Sequence, residues 1–277
     1  MLRCFIKLQT SEMLRKKTTV ALYLALLCLV LYNFVTNVFH YKGTDFVGMI
    51  QPMKLLLLSR DSRFSFFLLM CWPLLVVLPA GFGYLSDKQA GEIPLLQARV
   101  GWKTYLTGKC VAVFIATFLV FTLPFLIEIG LNCLAFPLQA IGDISGASTY
   151  DINYVDSVRS YLFHQIYLLS PYLYAVICTL IFGIMSGILA VFTVAVSTFS
   201  FMKFKILAFI PGYVLLSLIG IVRQLFPGVQ VYTHYYYYLS LFDSGPKSTA
   251  GYLIFACALL ALSVCIVVGK SRKDFLA

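Results

Sequence analysis

Glu128 is the one ionisable side chain set well inside an apolar run of this chain. A carboxylate in hydrocarbon is costly and normally faces a cavity or a partner. It lies about 19 residues beyond Lys109, roughly 28 Å along a helix, which puts it near the far leaflet. Two roles fit: a group in a substrate path, or an interfacial or structural carboxylate. Other chemistry is missing. A nucleotide-binding loop needs G-x-x-x-x-G-K-[ST]. Gly108-Lys109 is followed by Cys110 and has Lys103 where the first glycine belongs, and Gly269-Lys270-Ser271 has Val264 there. His40, His164 and His234 are followed by Tyr41, Gln165 and Tyr235, so no HExxH metalloprotease motif exists. Ser186-Gly187 has Ile184 where a rhomboid-type serine site has glycine. None of the eight cysteines forms a CxxC pair, and most lie in apolar runs, so they read as packing residues. Metal ligation and disulfides are not expected.

The other polar feature with work to do is Asp87 to Lys109, DKQAGEIPLLQARVGWKTYLTGK, trapped between two long apolar runs. Such a segment lies at one membrane surface. Ile93, Leu95, Leu96 and Val100 recur at roughly helical spacing, so a short surface helix is expected. Pro94 suits its first turn and Gly101 its end. The plain alternative is a solvated connector.

The frame around these residues is a membrane protein. Of 277 residues, 61% are hydrophobic and 12% charged, and mean hydropathy is +0.90. Soluble proteins carry about 25% charged residues, so the chain reads as an all-α polytopic membrane protein. Net charge is +10. The basic residues flank apolar runs, which points to membrane orientation and not to nucleic acid.

Six spans are expected, at about 18–38, 65–85, 107–136, 166–197, 206–222 and 249–269, forming one domain over 18–269. Residues 1–17 are basic, with Leu2, Phe5, Ile6 and Met13 suited to an interfacial helix. The apolar run after Lys17 is too long for a cleavable signal and reads as the first span. Met53 to Leu58 is expected to dip into the interface. Pro73 and Pro79 should kink the second span. The third is longer than the bilayer needs and must tilt, bend at Pro124 or protrude. Gly183 and Gly187 make a GxxxG step for close helix packing, within the chain more simply than between chains. Pro227-Gly228 breaks the chain before a run holding Tyr232, Tyr235 and Tyr236, the chemistry of a membrane interface. Residues 270–277 form a basic tail.

The order Gly91, Leu95, Leu96, Arg99, Tyr105-Leu106, Gly108-Lys109 and then a span resembles the first cytoplasmic loop of ABC-2 type transporter permeases. The motif covers about a tenth of the chain, and the span layout extends the likeness to most of it. Glu92 stands where the family usually has threonine. The resemblance implies a six-span fold, with a coupling helix in the loop 87–106 and a re-entrant segment between spans 5 and 6. It implies that Gly91, Glu92, Pro94, Leu95, Leu96 and Arg99 contact a separate ATPase, which binds ATP and magnesium, and that this chain is not itself an enzyme. It also implies a second permease subunit, identical or different, in a bacterial cell membrane. Glu128 or the tyrosines would then line the pathway or its outer mouth.

Charge sets the orientation. With both termini inside, inner segments hold 14 Lys and Arg and outer segments 7. This places Ala90 and Lys203 in the cytoplasm, and Ser148 and Lys247 outside. Two other classes share such a layout. A non-transporting scaffold or immunity subunit would not stimulate an ATPase. A secondary transporter needs polar ion-coupling residues at the midplane, which the sequence scarcely offers.

Overall fold

A computed structural model of the chain describes residues 2–44, 49–138, 158–202, 204–225, 235–243 and 249–273. Twelve α-helices occur among them: α1 (Leu2–Arg15), α2 (Lys17–His40), α3 (Ser65–Leu75), α4 (Val77–Ala80), α5 (Gly83–Gln89), α6 (Ile93–Val100), α7 (Trp102–Ala135), α8 (His164–Leu169), α9 (Pro171–Ser197), α10 (Phe209–Leu225), α11 (Tyr235–Leu239) and α12 (Thr249–Lys273). The described residues form no strand; an isolated parallel bridge joins Ser59 and Leu241. Four helices are long and apolar enough to cross a bilayer: α2, α7, α9 and most of α12. A fifth crossing exists if α3 to α5, bent by 44°, counts as one broken span. The expected fifth span is met by a 3₁₀ turn, Lys205–Ala208, and α10, of which Lys205–Leu218 counts only as a shorter apolar helix.

Two prolines, Pro79 and Pro171, coincide with breaks, whereas Pro73 lies inside α3 without interrupting it. Pro79 has no N–H to offer the carbonyl of Leu75, and the helix is interrupted between α3 and α4 at that point. A second break at Gly81-Phe82 leaves the Pro79 carbonyl to the Thr19 hydroxyl, which donates to it at 2.8 Å. Pro171 forces Ser170 into an extended conformation, so the expected fourth span divides into α8 and α9. Pro124 does not break α7, whose 34 residues run about 51 Å, well beyond a 30 Å hydrocarbon core. With no break at Pro124, the helix must protrude or tilt.

The core is the contact of α7 with α9, and glycine makes it possible. A Cβ on Gly183 would collide with the Thr122 hydroxyl, and one on Gly187 would come within 2.6 Å of the Phe114 ring. The GxxxG step thus serves packing within the chain. Trp72 of α3 closes the same layer, donating from Nε1 to the Ser186 hydroxyl at 2.8 Å, while Ser186 donates to the Phe182 carbonyl. The hydroxyl considered above as a nucleophile is thereby used in helix packing. None of the eight cysteines is in a disulfide. Cys110 is buried and Cys133 and Cys178 pack against the core, whereas Cys4, Cys28, Cys257 and Cys265 are exposed and packing within the chain does not explain them.

Met53 to Leu58 goes deeper than an interfacial loop. After a 3₁₀ turn at Pro52–Leu55, these side chains are all buried inside the bundle. Turn bonds and the contact with Leu241 satisfy only part of its backbone, so side chains must supply further partners. The Leu55 carbonyl accepts from Asn33 and Asn37 of α2, each at 2.9 Å.

The glycine contact yields a direct expectation. Gly187→Val should overpack the α7–α9 seam and lower stability by about 1–3 kcal/mol. Gly130→Val, on the facing helix α7 but with open space around it, should cost far less. Thermal unfolding of the purified protein in detergent checks the pair; equal melting points would remove the seam's role.

Candidate functional site

The loop between α5 and α7 is built as a presented helix on a fixed base. Gly91 and Gly101 bracket α6 with φ of 70° and 77°, a region costly for residues with a Cβ. Pro94 sits in the first turn. No residue of α6 is buried. Its two faces differ, however. Ile93, Leu96 and Val100 pack against the core, whereas Leu95 is 65% exposed and Arg99 lies four residues on, along the same exposed row. Gly91, Glu92 and Pro94 are exposed as well, apart from these inward residues. The six residues expected to meet a partner therefore separate: five face outward, and Leu96 belongs to the helix's own seat.

That base is a buried polar cluster. Asp87, in the last turn of α5, and Lys109, two turns into α7, pair at 2.7 Å, with Lys109 only 2% exposed. The Tyr105 hydroxyl donates to the same Asp87 oxygen at 2.6 Å. Lys109 also donates to Gln9 of α1 at 2.7 Å, and Gln9 donates to Glu12 at 3.1 Å. Close packing surrounds the cluster. Gly83 leaves room for the Lys109 stem, and Gly108 for the Phe5 ring. Trp102 stacks on Tyr105 with ring centres 5.7 Å apart. One charge pair thus closes the two arms of the α6 loop and locks α1 onto them. Lys109, read from the sequence as a basic flank, faces inward.

Glu128 sits about 28 Å further along α7 and is wholly buried. One carboxyl oxygen accepts from Asn33 Nδ2 and from the Leu57 N–H, both at 2.8 Å. Asn132, four residues on, donates to the Pro52 carbonyl at 3.3 Å. Glu128 and Asn132 therefore anchor the buried 52–58 segment from α7, while Asn33 and Asn37 anchor it from α2. In the described structure Glu128 meets backbone and asparagine, not an open path.

Beside this segment stands the tyrosine helix α11. Leu241 exchanges backbone hydrogen bonds with Leu58 and Arg60, and Arg60 pairs with Asp243 at 3.0 Å. Tyr235 packs on Trp72 and Tyr236 on Phe66. Burial pushes the Tyr235 hydroxyl up to about 12, so it stays a neutral donor to the Met70 carbonyl. Tyr232, Lys203, Ser148 and Lys247 lie outside the described residues. A polar cavity of about 280 Å³ opens next to this assembly, lined by Asn33, Asn37, His40, Tyr41, Lys54 and Asp61 among others. Burial, then the Asp61 charge, raises the Tyr41 hydroxyl above its ordinary range. Among the described residues no group of His, Cys, Asp or Glu is arranged to hold a metal ion.

Sequence reading missed the asparagines and Gln9. The available signal was spacing: Asn33 and Asn37, and Glu128 and Asn132, are i,i+4 pairs on single helix faces.

Removing one partner of the buried pair strands a charge, so Asp87→Asn or Lys109→Met should each cost about 3–5 kcal/mol. The double variant should recover most of that loss. Chemical unfolding of the purified protein provides the comparison. Additive losses, or single variants within about 0.5 kcal/mol of wild type, would contradict a coupled clamp. No family model, curated protein or solved structure matches this chain.

Proposed function

We propose that this chain is the membrane-spanning permease subunit of an ATP-binding cassette exporter of the ABC-2 type. It works with a separate ATPase subunit and a second permease subunit. The observation that carries this reading is α6: a short helix with Leu95 and Arg99 outward, seated on a base tied to two membrane helices. An exposed leucine beside an arginine suits a partner cleft with an apolar floor and a carboxylate rim. In this reading α3 to α5 form the second of six spans, and the helix from Lys205 onward contributes the fifth. Both termini and α6 lie in the cytoplasm of a bacterial cell, as the Lys and Arg distribution favours.

ATP and magnesium bind the partner, whose closure moves α6. The Asp87–Lys109 pair keeps the loop arms together, so displacement of α6 passes to α5 and α7 and not into slack chain. Substrate leaves toward the outside.

Leu95→Asp should abolish recovery of the ATPase in pull-down from membranes, a loss of at least about 30-fold in affinity for a central anchor. Arg99→Ala should weaken it more mildly. Leu96→Asp is the poorer test, because Leu96 holds α6 to its seat. Recovery of Leu95→Asp equal to wild type, with unchanged transport, would reduce the loop to a connector. Topology gives an independent check. A cysteine at position 90, in a cysteine-free background, should resist an impermeant reagent applied outside cells and react in inverted vesicles. Labelling from outside would reverse the scheme.

A further inference from the structure

Helix α1 divides into three longitudinal rows. Phe5, Gln9 and Met13, spaced by four, are buried, with Phe5 seated on Gly108 and Met13 near Gly83. The outer row is Arg3, Lys7, Ser11 and Arg15, again spaced by four. Between these rows run Ile6, Thr10 and Leu14, only half-buried. Val111 and Ile115 of α7 face them, also four apart. Together they enclose an open groove of about 700 Å³.

The groove has a marked division of chemistry. Its floor and inner wall are almost wholly apolar, while its outer wall carries Arg3, Lys7 and Arg15 and no acid. Glu12, the one acid of α1, accepts from Gln9. The cationic row spans twelve residues, about 18 Å. Long cationic side chains can lay their stems along apolar surface while their heads reach a polar layer. One wall of the groove is a membrane helix, and Val111 is 42% exposed on it.

We infer that this groove holds an anionic phospholipid, with an acyl chain along Ile6, Leu14, Val111 and Ile115 and the headgroup phosphate against Arg3, Lys7 and Arg15. Charge complementarity selects the occupant. A neutral lipid satisfies the floor but not the wall, and an aqueous anion satisfies the wall but leaves the floor wet. Basic clusters at a membrane surface attract anionic headgroups by roughly fivefold per Lys or Arg. Bound there, the lipid presses α1 onto α7 beside the Gln9–Lys109 contact. The inference does not depend on an ATPase partner.

The test is retention of lipid by the full-length protein purified in a neutral detergent. The probe is an equimolar mixture of phosphatidylglycerol and phosphatidylcholine with matched chains, read by native mass spectrometry. Wild type should retain phosphatidylglycerol at least tenfold over phosphatidylcholine. R3Q/K7Q/R15Q should bring the ratio near parity. Lys42→Gln with Lys88→Gln, two exposed cations elsewhere, should leave it unchanged. Ile115→Trp fills the floor and keeps every charge, so it should also lower retention at least fivefold. Equal retention of both lipids by wild type, or enrichment surviving R3Q/K7Q/R15Q, overturns the inference. If Ile115→Trp retains lipid as wild type does, the groove is not the acyl site. Displacement of the lipid by millimolar glycerophosphate, measured on wild type, would show a soluble-phosphate site and likewise overturn it.

Discussion

The Asp87–Lys109 pair is the interaction on which the α6 end of this protein depends. Two charges removed from water are tolerable only when each satisfies the other and further hydrogen bonds complete the set. Tyr105 and Gln9 complete it. The result is geometric more than energetic. The pair fixes the separation of α5 and α7 at the base of α6, and Gln9 brings α1 into the same unit. A shorter or unpaired side chain at either position would leave α6 hanging between two glycines in left-handed backbone conformations. A helix meant to be pushed needs a base that does not yield.

The far end of α7 solves a different problem by related means. There the chain places non-helical backbone, residues 52–58, inside a helical bundle. Amide and carbonyl groups buried without partners cost too much to persist. Glu128 takes the Leu57 N–H, and Asn33, Asn37 and Asn132 take the Leu55 and Pro52 carbonyls. The segment then forms a parallel bridge to the stretch after α11. One long helix thus carries a clamp at each end, about 28 Å apart, and α9 packs along its middle through Gly183 and Gly187.

Much of this was legible from residue type and spacing. Apolar runs located the long helices. Pro94 and Gly101 bounded α6, and Pro79 marked one break of the second span, whereas Pro73 lies inside α3. The misses share a cause. The partition of α6 into seated and outward faces turns on about one hundred degrees per residue, so Leu95 and Leu96 looked equivalent in a list and are not in space. Lys109 reads as a flanking cation because nothing local announces Asp87, twenty-two residues earlier, as its partner. Met53 to Leu58 reads as interfacial because its partners, Glu128 and three asparagines, lie on other helices. Spacing can mark a polar helix face, as it does for Asn33 and Asn37, but it does not name the distant partner.

If the clamp unites α1, α5, α6 and α7, local stability in these elements must rise and fall together. Amide hydrogen exchange of wild type and Asp87→Asn in the same detergent tests this most directly. The account predicts that protection falls at least tenfold in both α1 and α6 of the variant, while α9 is unchanged. Loss confined to the α5–α6 loop, with α1 as protected as in wild type, would contradict it.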